Sequence, residues 1–287
     1  MTDYLRPATV QDALAVLSRR DDLTILAGGT DVYPARTSRL AWGKPAPQHI
    51  LDISAIEGLR GIADRGDHWW LGALTTWTDI IPAPLPPLFD GLKAAAREIG
   101  GIQIQNRGTL AGNICTASPA GDSIPCLLAL DAQIELASAA LRCVDAAVFF
   151  TGYRKTALAS GELVTGVRIP KQRGRSSFRK LGARRYLVIS IVMVSVVIDV
   201  DDRGCVRSAR IAVGACSATA QRLPTLEIAL VGKPLSADLV SPQHFAHLSP
   251  IDDIRASANY RRHAACQLTR DIIADLVVTS PRETADV

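Results

Sequence analysis

The segment "ILAGGTDV", residues 25–32, decides how the start of this fold is interpreted. Three apolar residues with strand character run directly into Gly28 and Gly29, which are followed by Thr30 and Asp31. Because glycine has no Cβ, its backbone N–H can turn outward and approach a ligand closely. Consecutive exposed amides form a concave site of the kind that holds phosphate. A tight turn after a strand also favours glycine, so both interpretations are open on these eight residues alone.

The size and composition of the chain predict an ordinary globular protein. It has 287 residues, of which 48% are hydrophobic and 21% are charged. That length predicts two domains or one large one, and the composition is typical of a protein with a full core. The aromatic content of 5% argues against a stacking platform for single-stranded nucleic acid.

One segment is strongly basic although the net charge of +4 identifies no partner. From Arg168 to Arg185 there are eight Lys or Arg and no Asp or Glu. Such runs can bind nucleic acid, but a solvated loop or a docking face is the more frequent role. We therefore expect no nucleic-acid partner.

We expect no signal peptide in this sequence. Its start lacks the basic residues and apolar stretch of a signal peptide. The longest apolar run, from Tyr186 to Val200, is too short to span a bilayer and contains two serines. We expect no membrane span and a cytoplasmic location. Six scattered cysteines contain no C-x-x-C pair, and metal or iron–sulfur sites need clustered thiolates, so we expect no metal site and buried free thiols.

The element signals of the first half indicate a compact α+β unit. Thr9 and Asp12 resemble a capping box ahead of a helix, and a hairpin is predicted around residues 65–67. The other predicted elements are strands at 24–27 and 49–54 and an amphipathic helix carrying Leu88, Leu92, Ala95, Ala96 and Ile99. The segment "ELVTGVRIP" (162–170) ends in a proline and leads into the basic run, whose first residue it already contains, and marks a domain border.

The second half predicts a smaller α+β unit. The β-branched segments 187–200 and 205–217 flank a polar turn and predict an antiparallel hairpin. A helix is expected at 224–230, closed by Gly232, and a C-terminal helix from about Ser257 to Val278. The sequence thus predicts an α+β fold with one domain over residues 1–172, itself made of two subdomains, and a second over 175–280.

Motifs for several enzyme classes are absent. The chain contains no G-x-G, which a Rossmann site needs, and no P-loop, since Val167 and Arg168 follow the glycine spacing at Gly161 and Gly166. The S-x-x-K match at 177–180 lacks its companion motifs. The sequence therefore predicts no catalytic residue for hydrolysis and no metal ligand set.

A second glycine-rich segment, residues 100–125, carries five glycines with hydroxyl and amide side chains between them. Small polar residues in this density suit close backbone contact with an extended polar ligand. The alternative is a long irregular connection, although such connections are usually functional.

With both glycine segments in view, the chain resembles the FAD-binding medium subunit of the molybdenum hydroxylases, which include xanthine and carbon monoxide dehydrogenases. The resemblance runs nearly end to end and rests on six motifs in order. They are "ILAGGTD" (25–31), "QNRGTLAGNICTASPAGDSIPCLLALDA" (105–132), "FFTGYRKTAL" (149–158), "GELVTGVRIP" (161–170), "FRKLGARR" (178–185) and "SPIDDIRASANYRR" (249–262). It implies a two-part FAD-binding domain of the PCMH type followed by a domain like the C-terminal domain of carbon monoxide dehydrogenase flavoproteins.

The resemblance also implies a set of cofactor-binding residues. The first loop around the FAD pyrophosphate matches Ile25, Leu26, Ala27, Gly28, Gly29, Thr30, Asp31 and Val32. The second loop on the same diphosphate and the ribityl chain matches Thr109, Ala111, Gly112 and Asn113. Positions near the cofactor match Ile99, Gly100 and Asp122, and positions beside the flavin ring and its polar edge match Val164 and Lys180. From the residues alone, Asp122 could equally cap a helix, and Lys180 could be one more solvated charge.

The function implied by the resemblance is electron transfer within a larger enzyme. A large subunit with the molybdenum cofactor hydroxylates the substrate, and a small subunit with 2Fe-2S clusters delivers electrons to FAD on this chain. FAD then passes them to an external acceptor, in an assembly implied to be a dimer of heterotrimers. A stand-alone flavin oxidoreductase and a non-enzymatic scaffold are the alternatives. This chain lacks the cysteine-rich insert of some members and has aliphatic Ile99 where others have an aromatic residue.

Overall fold

The computed structural model describes residues 3–41 and 49–278, which form three larger sheets and a two-stranded ribbon with helices packed against them. The first sheet is small and parallel. Its strands are β1 (Tyr4–Leu5), β2 (Leu23–Leu26) and β3 (His49–Asp52), in the order β1-β3-β2. Helix α1 (Val10–Leu17) begins as predicted, because the Thr9 hydroxyl accepts a hydrogen bond from the Asp12 N–H at 3.1 Å. Helix α2 (Val32–Ala41) follows the first glycine loop.

The second sheet has five antiparallel strands in the order β4-β5-β10-β6-β7. The predicted hairpin around residues 65–67 forms from its first two strands. The elements of this part, with a separate two-stranded β8–β9 ribbon, are β4 (Ile62–Asp64), β5 (His68–Gly72), α3 (Trp77–Ile80), α4 (Asp90–Glu98), α5 (Ile102–Arg107), α6 (Leu110–Thr116), α7 (Ser123–Ala129), β6 (Gln133–Ala137), β7 (Leu141–Asp145), α8 (Ala146–Phe149), β8 (Phe150–Gly152), β9 (Lys155–Thr156) and β10 (Leu163–Pro170).

The glycine-rich segment at residues 100–125 is largely helical and is not an irregular connection. Three short helices, α5 to α7, occupy most of it, and Gly101 and Gly108 flank the first of them. Helices this short are marginal by themselves and are stabilised by packing. Leu110 and Ile114 of α6 are fully buried and supply that packing.

The third sheet is antiparallel, in the order β11-β12-β13-β14. Its elements are β11 (Arg175–Leu181), β12 (Val192–Val200), β13 (Val206–Gly214), β14 (Gln221–Arg222), α9 (Pro224–Leu230) and α10 (Ala258–Val278). The predicted hairpin is present but starts five residues later than expected. Residues 187–191 lie outside β12, and Leu187 has a left-handed φ of 54°, which an extended strand cannot contain.

Strand β12 is buried on both faces, which explains its uninterrupted apolar sequence. Val192, Val194 and Val196 pack with α9 and α10 into the core of the third sheet. The alternating residues Met193 and Val197 face the other way and join the core of the first two sheets. The hydrophobic contact between the two parts of the chain is therefore extensive.

Strand β10 ends at Pro170 and β11 begins at Arg175 in a different sheet, so the chain changes sheet at the border that the sequence suggests. The division into 1–172 and 175–280 stays a prediction, since one core cluster draws on both sides of it. Residues 279 and 280 lie outside the described residues.

Candidate functional site

The two glycine loops meet at Gly28. A Cβ at this position would lie 1.8 Å from the carbonyl oxygen of Arg107, at the end of α5. No side chain fits there without moving backbone, so Gly28 is required by the close approach of the loops. A second contact joins them, because the Thr116 hydroxyl lies 2.5 Å from the Asp31 carboxylate and 2.8 Å from the Gly112 carbonyl and donates its one proton to either acceptor.

The first loop presents backbone amides at the start of α2. Gly29 has a φ of 80°, a left-handed conformation that favours glycine. Within the described residues, the N–H groups of Gly29, Thr30 and Asp31 donate to no protein acceptor. The free amides and the positive end of the helix dipole make this turn suitable for an anion.

The second loop is anchored on the connection between β5 and α3. Leu110 N–H donates to the Thr75 carbonyl at 2.9 Å, and Ala111 N–H donates to the Ala73 carbonyl at 3.0 Å. Thr109 caps α6 by accepting a hydrogen bond from Gly112 N–H at 3.1 Å. The loop is therefore fixed on a buried strand end rather than free to adjust.

Asn113 is oriented by a neighbour. Its side-chain oxygen accepts a hydrogen bond from the Ser123 hydroxyl at 2.6 Å. That contact uses the amide oxygen, and the NH₂ group has no acceptor among the described residues. Asn113 thus offers a donor to a cavity whose wall it forms.

A cavity of about 440 Å³ lies between the loops. Thirteen of the seventeen predicted cofactor-binding residues line it, namely Ile25, Ala27, Gly28, Gly29, Thr30, Asp31, Val32, Ile99, Thr109, Ala111, Gly112, Asn113 and Val164. Leu26, Gly100, Asp122 and Lys180 do not line it. Leu26 is buried behind the loop as the last residue of β2, and the left-handed Gly100 (φ 61°) packs on the side chain of Ile104.

Eight lining residues are absent from the sequence prediction: Ile53, Trp77, Ile104, Gly108, Cys115, Thr116, Leu158 and Leu163. Most are apolar, and in the sequence they are indistinguishable from core residues. Thr116 and Gly108 lie within the quoted second segment, where their polar or small character was the available signal. Cys115 is exposed to the cavity, yet the surrounding protein desolvates it and raises the pKa of its thiol to about 11. At neutral pH it is a protonated thiol.

Asp122 and Lys180 form a buried ion pair beside the site. The Lys180 ammonium donates to Asp122 Oδ2 at 2.7 Å, and the Ser190 hydroxyl donates to Oδ1 at 2.5 Å. Burial raises the pKa of the Asp122 carboxyl, and the Lys180 charge opposes that rise. Asp122 lies at the start of α7, but its side chain makes no capping hydrogen bond, so the capping alternative is wrong. The solvated-charge alternative for Lys180 is also wrong, because only 7% of its side chain is exposed.

A second cavity, of about 420 Å³, has walls whose charges are already paired. His68 Nδ1 lies 2.6 Å from Asp67, and Arg222 donates to Asp131 at 2.8 Å. Since its charged groups are satisfied and it contains no glycine loop, the cavity between the loops is the stronger candidate site.

Comparison with known proteins identifies the family. Residues 1–172 match the model described as "FAD binding domain in molybdopterin dehydrogenase", and residues 177–276 match "CO dehydrogenase flavoprotein C-terminal domain". The chain is a medium-chain FAD subunit of the molybdenum hydroxylase family. The resemblance stated from the motifs is thereby confirmed, as is the predicted fold of a two-part FAD-binding domain with a smaller C-terminal domain.

Individual relatives of this medium-chain FAD subunit align over almost their whole length. It is 33% identical to the nicotine 6-hydroxylase medium subunit of Paenarthrobacter nicotinovorans, covering 95% of this chain and 96% of the relative. A carbon monoxide dehydrogenase structure from Hydrogenophaga pseudoflava superimposes with a TM-score of 0.87 at 29% identity, covering 95% and 96% of the two chains. Quinoline 2-oxidoreductase from Pseudomonas putida 86 gives 0.88 at 26% identity, covering 97% of each.

The cavity fits the cofactor named in the family description. A dinucleotide needs donors for its diphosphate, and the free amides of the first loop supply them. A Cβ at Gly112 would lie 2.9 Å from Thr109 Oγ1, so glycine keeps the second loop closely packed. Ile99, Ile104 and Val164 add apolar surface for a flat ring. The chain is thus an oxidoreductase subunit of the FAD type.

Proposed function

We propose that FAD binds in the cavity between the two glycine loops, with its diphosphate at the turn of Gly29, Thr30 and Asp31. The observation that carries this proposal is the close approach of the loops at Gly28, where backbone amides face a cavity that no side chain fills. Neutral amides can solvate a diphosphate of about two negative charges without a metal ion.

Different wall residues of the cavity offer contacts to the other parts of FAD. The Asn113 NH₂ group is free to donate to an oxygen of the phosphates or of the ribityl chain. Ile99 and Val164 offer apolar contact to the flavin ring, as the family positions imply. A role for Lys180 at the polar edge of the flavin stays a prediction, because its ammonium is engaged by Asp122 outside this cavity.

The proposed role of the loaded chain is electron transfer within a multi-subunit hydroxylase. Bound flavin exchanges single electrons or pairs, which lets it connect one-electron clusters to acceptors of either kind. The partners are a large subunit with the molybdenum cofactor and a small subunit with 2Fe-2S clusters, as the family of its relatives supports. We further propose a dimer of heterotrimers in the cytoplasm. Within residues 3–41 and 49–278, none of the helices has the length and apolarity needed to cross a membrane.

Two other functions are less well supported. A stand-alone flavin oxidoreductase needs a proton-transfer group beside its substrate, and the titratable residues that line the cavity are Asp31, hydrogen-bonded to Thr116, and the high-pKa thiol of Cys115. A scaffold without a cofactor does not explain why three backbone amides are free or why the two loops pack so closely at Gly28 that no side chain fits there. Electron transfer through FAD accounts for both features.

The test is the visible spectrum of the purified chain, alone and after addition of FAD. We expect flavin bands at roughly 370 and 450 nm, and acid precipitation should leave these bands in the supernatant and none on the precipitated protein. Gly29→Val should abolish binding, because the new side chain meets the Tyr33 ring at 2.7 Å in a left-handed backbone. The matched control is Gly66→Val, which has the same conformation (φ 84°) and open space around it.

Interpretation of that test depends on folding. Circular dichroism must show that both variants fold like the wild type. A folded wild-type chain that stays colourless with FAD, both alone and after co-expression with its neighbouring subunits, contradicts the proposed function. Equal loss of FAD in the two variants assigns the effect to backbone strain and removes the case for this site.

A further inference from the structure

A patch of exposed apolar side chains adjoins the cavity through Ile104, which lines it. We call it the rim patch, and it consists of Ile102, Ile104, Tyr186, Leu187 and Ile189. Each of these side chains is 38% to 59% exposed. Large apolar side chains scattered singly on a surface need no explanation, but a contiguous group marks an interaction surface.

Two chain segments form the rim patch and touch one another. Helix α5 contributes the two isoleucines, and residues 182–190 contribute the rest. The segments meet where the Leu187 side chain lies over Gly101, 3.2 Å from the position of a Cβ there. Ile104 also lines the cavity, which makes the patch continuous with the site of the proposed function.

Leu187 is exposed and has a strained backbone conformation. Its φ of 54° is in the left-handed region, which an L side chain occupies only with strain. Arg184 fixes the turn by donating from its guanidinium to the Leu187 carbonyl. A large apolar residue in an exposed, strained conformation points to a purpose other than folding.

The two segments that form the rim patch carry charge of a single sign. The chain contains no Asp or Glu between residues 163 and 198, or between residues 99 and 121. Arg107, Arg184 and Arg185 are exposed beside the patch, and the Arg185 guanidinium lies 5.1 Å from the centre of the Tyr186 ring. A partner surface that complements this border is acidic.

We infer that the rim patch is the docking site of an acidic electron-carrier protein, an inference that rests on the proposed function. Electron-transfer encounters between proteins use small interfaces and rely on opposite charges for rapid association. A small apolar centre with an arginine border beside the cofactor cavity has these properties.

The experiment measures binding of defined carriers to the FAD-loaded chain by surface plasmon resonance. The acidic probes are a plant-type ferredoxin and a flavodoxin, and the basic control is mitochondrial cytochrome c. We expect at least one acidic carrier to bind at 50 mM salt and its affinity to fall at least about tenfold at 500 mM salt. Cytochrome c should bind at least about tenfold more weakly than that carrier.

Two variants test the patch itself. Arg185→Glu should weaken acidic-carrier binding at least about fivefold, whereas Arg203→Glu, at the far end of β12, should change it less than about twofold. Leu187→Asn removes the apolar side chain but keeps a residue that tolerates left-handed backbone, and it should weaken binding by a similar factor. Its control is Ile228→Asn on α9, where the isoleucine is 76% exposed.

The outcomes separate the docking inference from the proposed function. FAD affinity should be unchanged in all four variants, and a wild-type chain that binds no FAD contradicts the proposed function. Failure of both acidic carriers to bind the FAD-loaded chain overturns the docking inference alone. Loss of carrier binding in the assembled complex, or self-association that Leu187→Asn abolishes, assigns the patch to a partner subunit or a second copy and also overturns it.

Discussion

Asp122 at the start of α7 and Lys180 at the end of β11 form a buried ion pair, with 2.7 Å between the carboxylate and the ammonium. The pair joins the part of the chain that carries the glycine loops to the third sheet. Ser190 adds a hydroxyl donor from the end of the segment that carries the rim patch. One carboxylate therefore connects the second loop, the third sheet and the rim of the cavity.

Removing either partner should be costly. Breaking a buried pair leaves an uncompensated charge, at about 3–5 kcal/mol, so we expect Asp122→Asn to lower the free energy of unfolding by that order. In the double variant Asp122→Asn/Lys180→Met the loss should be smaller than the sum of the single losses. Urea denaturation measures the free energy of unfolding of the wild type, the two single variants and the double variant. Additive effects of the single changes would contradict the pairing.

Lys180→Met should make stability depend on pH. Burial raises the pKa of Asp122, and without the opposing Lys180 charge it rises further. A carboxyl whose pKa is higher in the folded state binds more protons there, so stability falls as pH rises from about 4 towards that raised pKa. The difference from wild type should grow between pH 5 and pH 7.5 in urea unfolding. A difference that stays constant over this range would show that Asp122 remains ionised without its partner.

Much of the fold was readable from the sequence, because its signals are local. The Thr9 cap, the hairpin at residues 65–67 and the C-terminal helix each depend on residues close together in the chain. The late start of β12 was not readable, since the left-handed Leu187 has no sequence signal of the kind that glycine gives. The three short helices between residues 102 and 129 were not readable either, because they depend on tertiary packing and the glycines around them favour irregular structure.

The candidate site was partly readable for a similar reason. Glycine-rich loops indicate close approach of the backbone to a ligand or to another loop. The resemblance in the motifs pointed to Ile99 and Val164, which line the cavity. Trp77 and Leu158 come from distant elements and look like ordinary core residues until the chain is folded. The pairing of Asp122 with Lys180 across 58 residues is likewise a product of topology, which no local pattern specifies.

Gly28→Ala should separate the two loops. The added methyl group meets the Arg107 carbonyl at 1.8 Å, so backbone must move, at about 1–3 kcal/mol or more. We expect the dissociation constant for FAD to rise at least about tenfold, which corresponds to about 1.4 kcal/mol. Flavin fluorescence quenching measures it. Gly58→Ala is the control, because nothing lies within 4 Å of a Cβ there, and equal weakening in both proteins would refute the requirement.

Asn113→Asp tests the donor that the structure assigns to this side chain. The aspartate can still accept from the Ser123 hydroxyl, but it loses the NH₂ donor and adds a negative charge. A hydrogen bond to a charged group contributes about 1.5–3 kcal/mol, so FAD affinity should fall at least about tenfold. Asn106→Asp is a matched control, because Asn106 also accepts from a hydroxyl, that of Thr78, and does not line the cavity. Titration with FAD measures the affinity of each variant. Equal affinities would show that Asn113 does not face the cofactor.

Asp253 should contribute to stability in mild acid. The N–H of Arg255, together with the guanidinium of Arg261 and other donors, lowers the pKa of this carboxyl to about 2. A carboxyl with a lowered pKa stabilises the folded state above its unfolded pKa of about 4, and that contribution is lost as pH falls towards 2. Arg261 also donates to the Ile191 carbonyl at 2.6 Å, so this turn supports the chain directly after the rim patch.

Asp253→Asn should therefore lower the melting temperature at pH 5 and converge with wild type as the pH approaches 2. The variant keeps an oxygen that can accept from the Arg255 N–H, but it has no charge to hold the Arg261 guanidinium. Thermal denaturation at several pH values between 2 and 6 measures the gap. Asp202→Asn, at an exposed position in the turn between β12 and β13, serves as the control. A gap of the same size at pH 2.5 and pH 5, or an equal effect in the control, would mean that the ionised Asp253 carboxylate does not stabilise the turn.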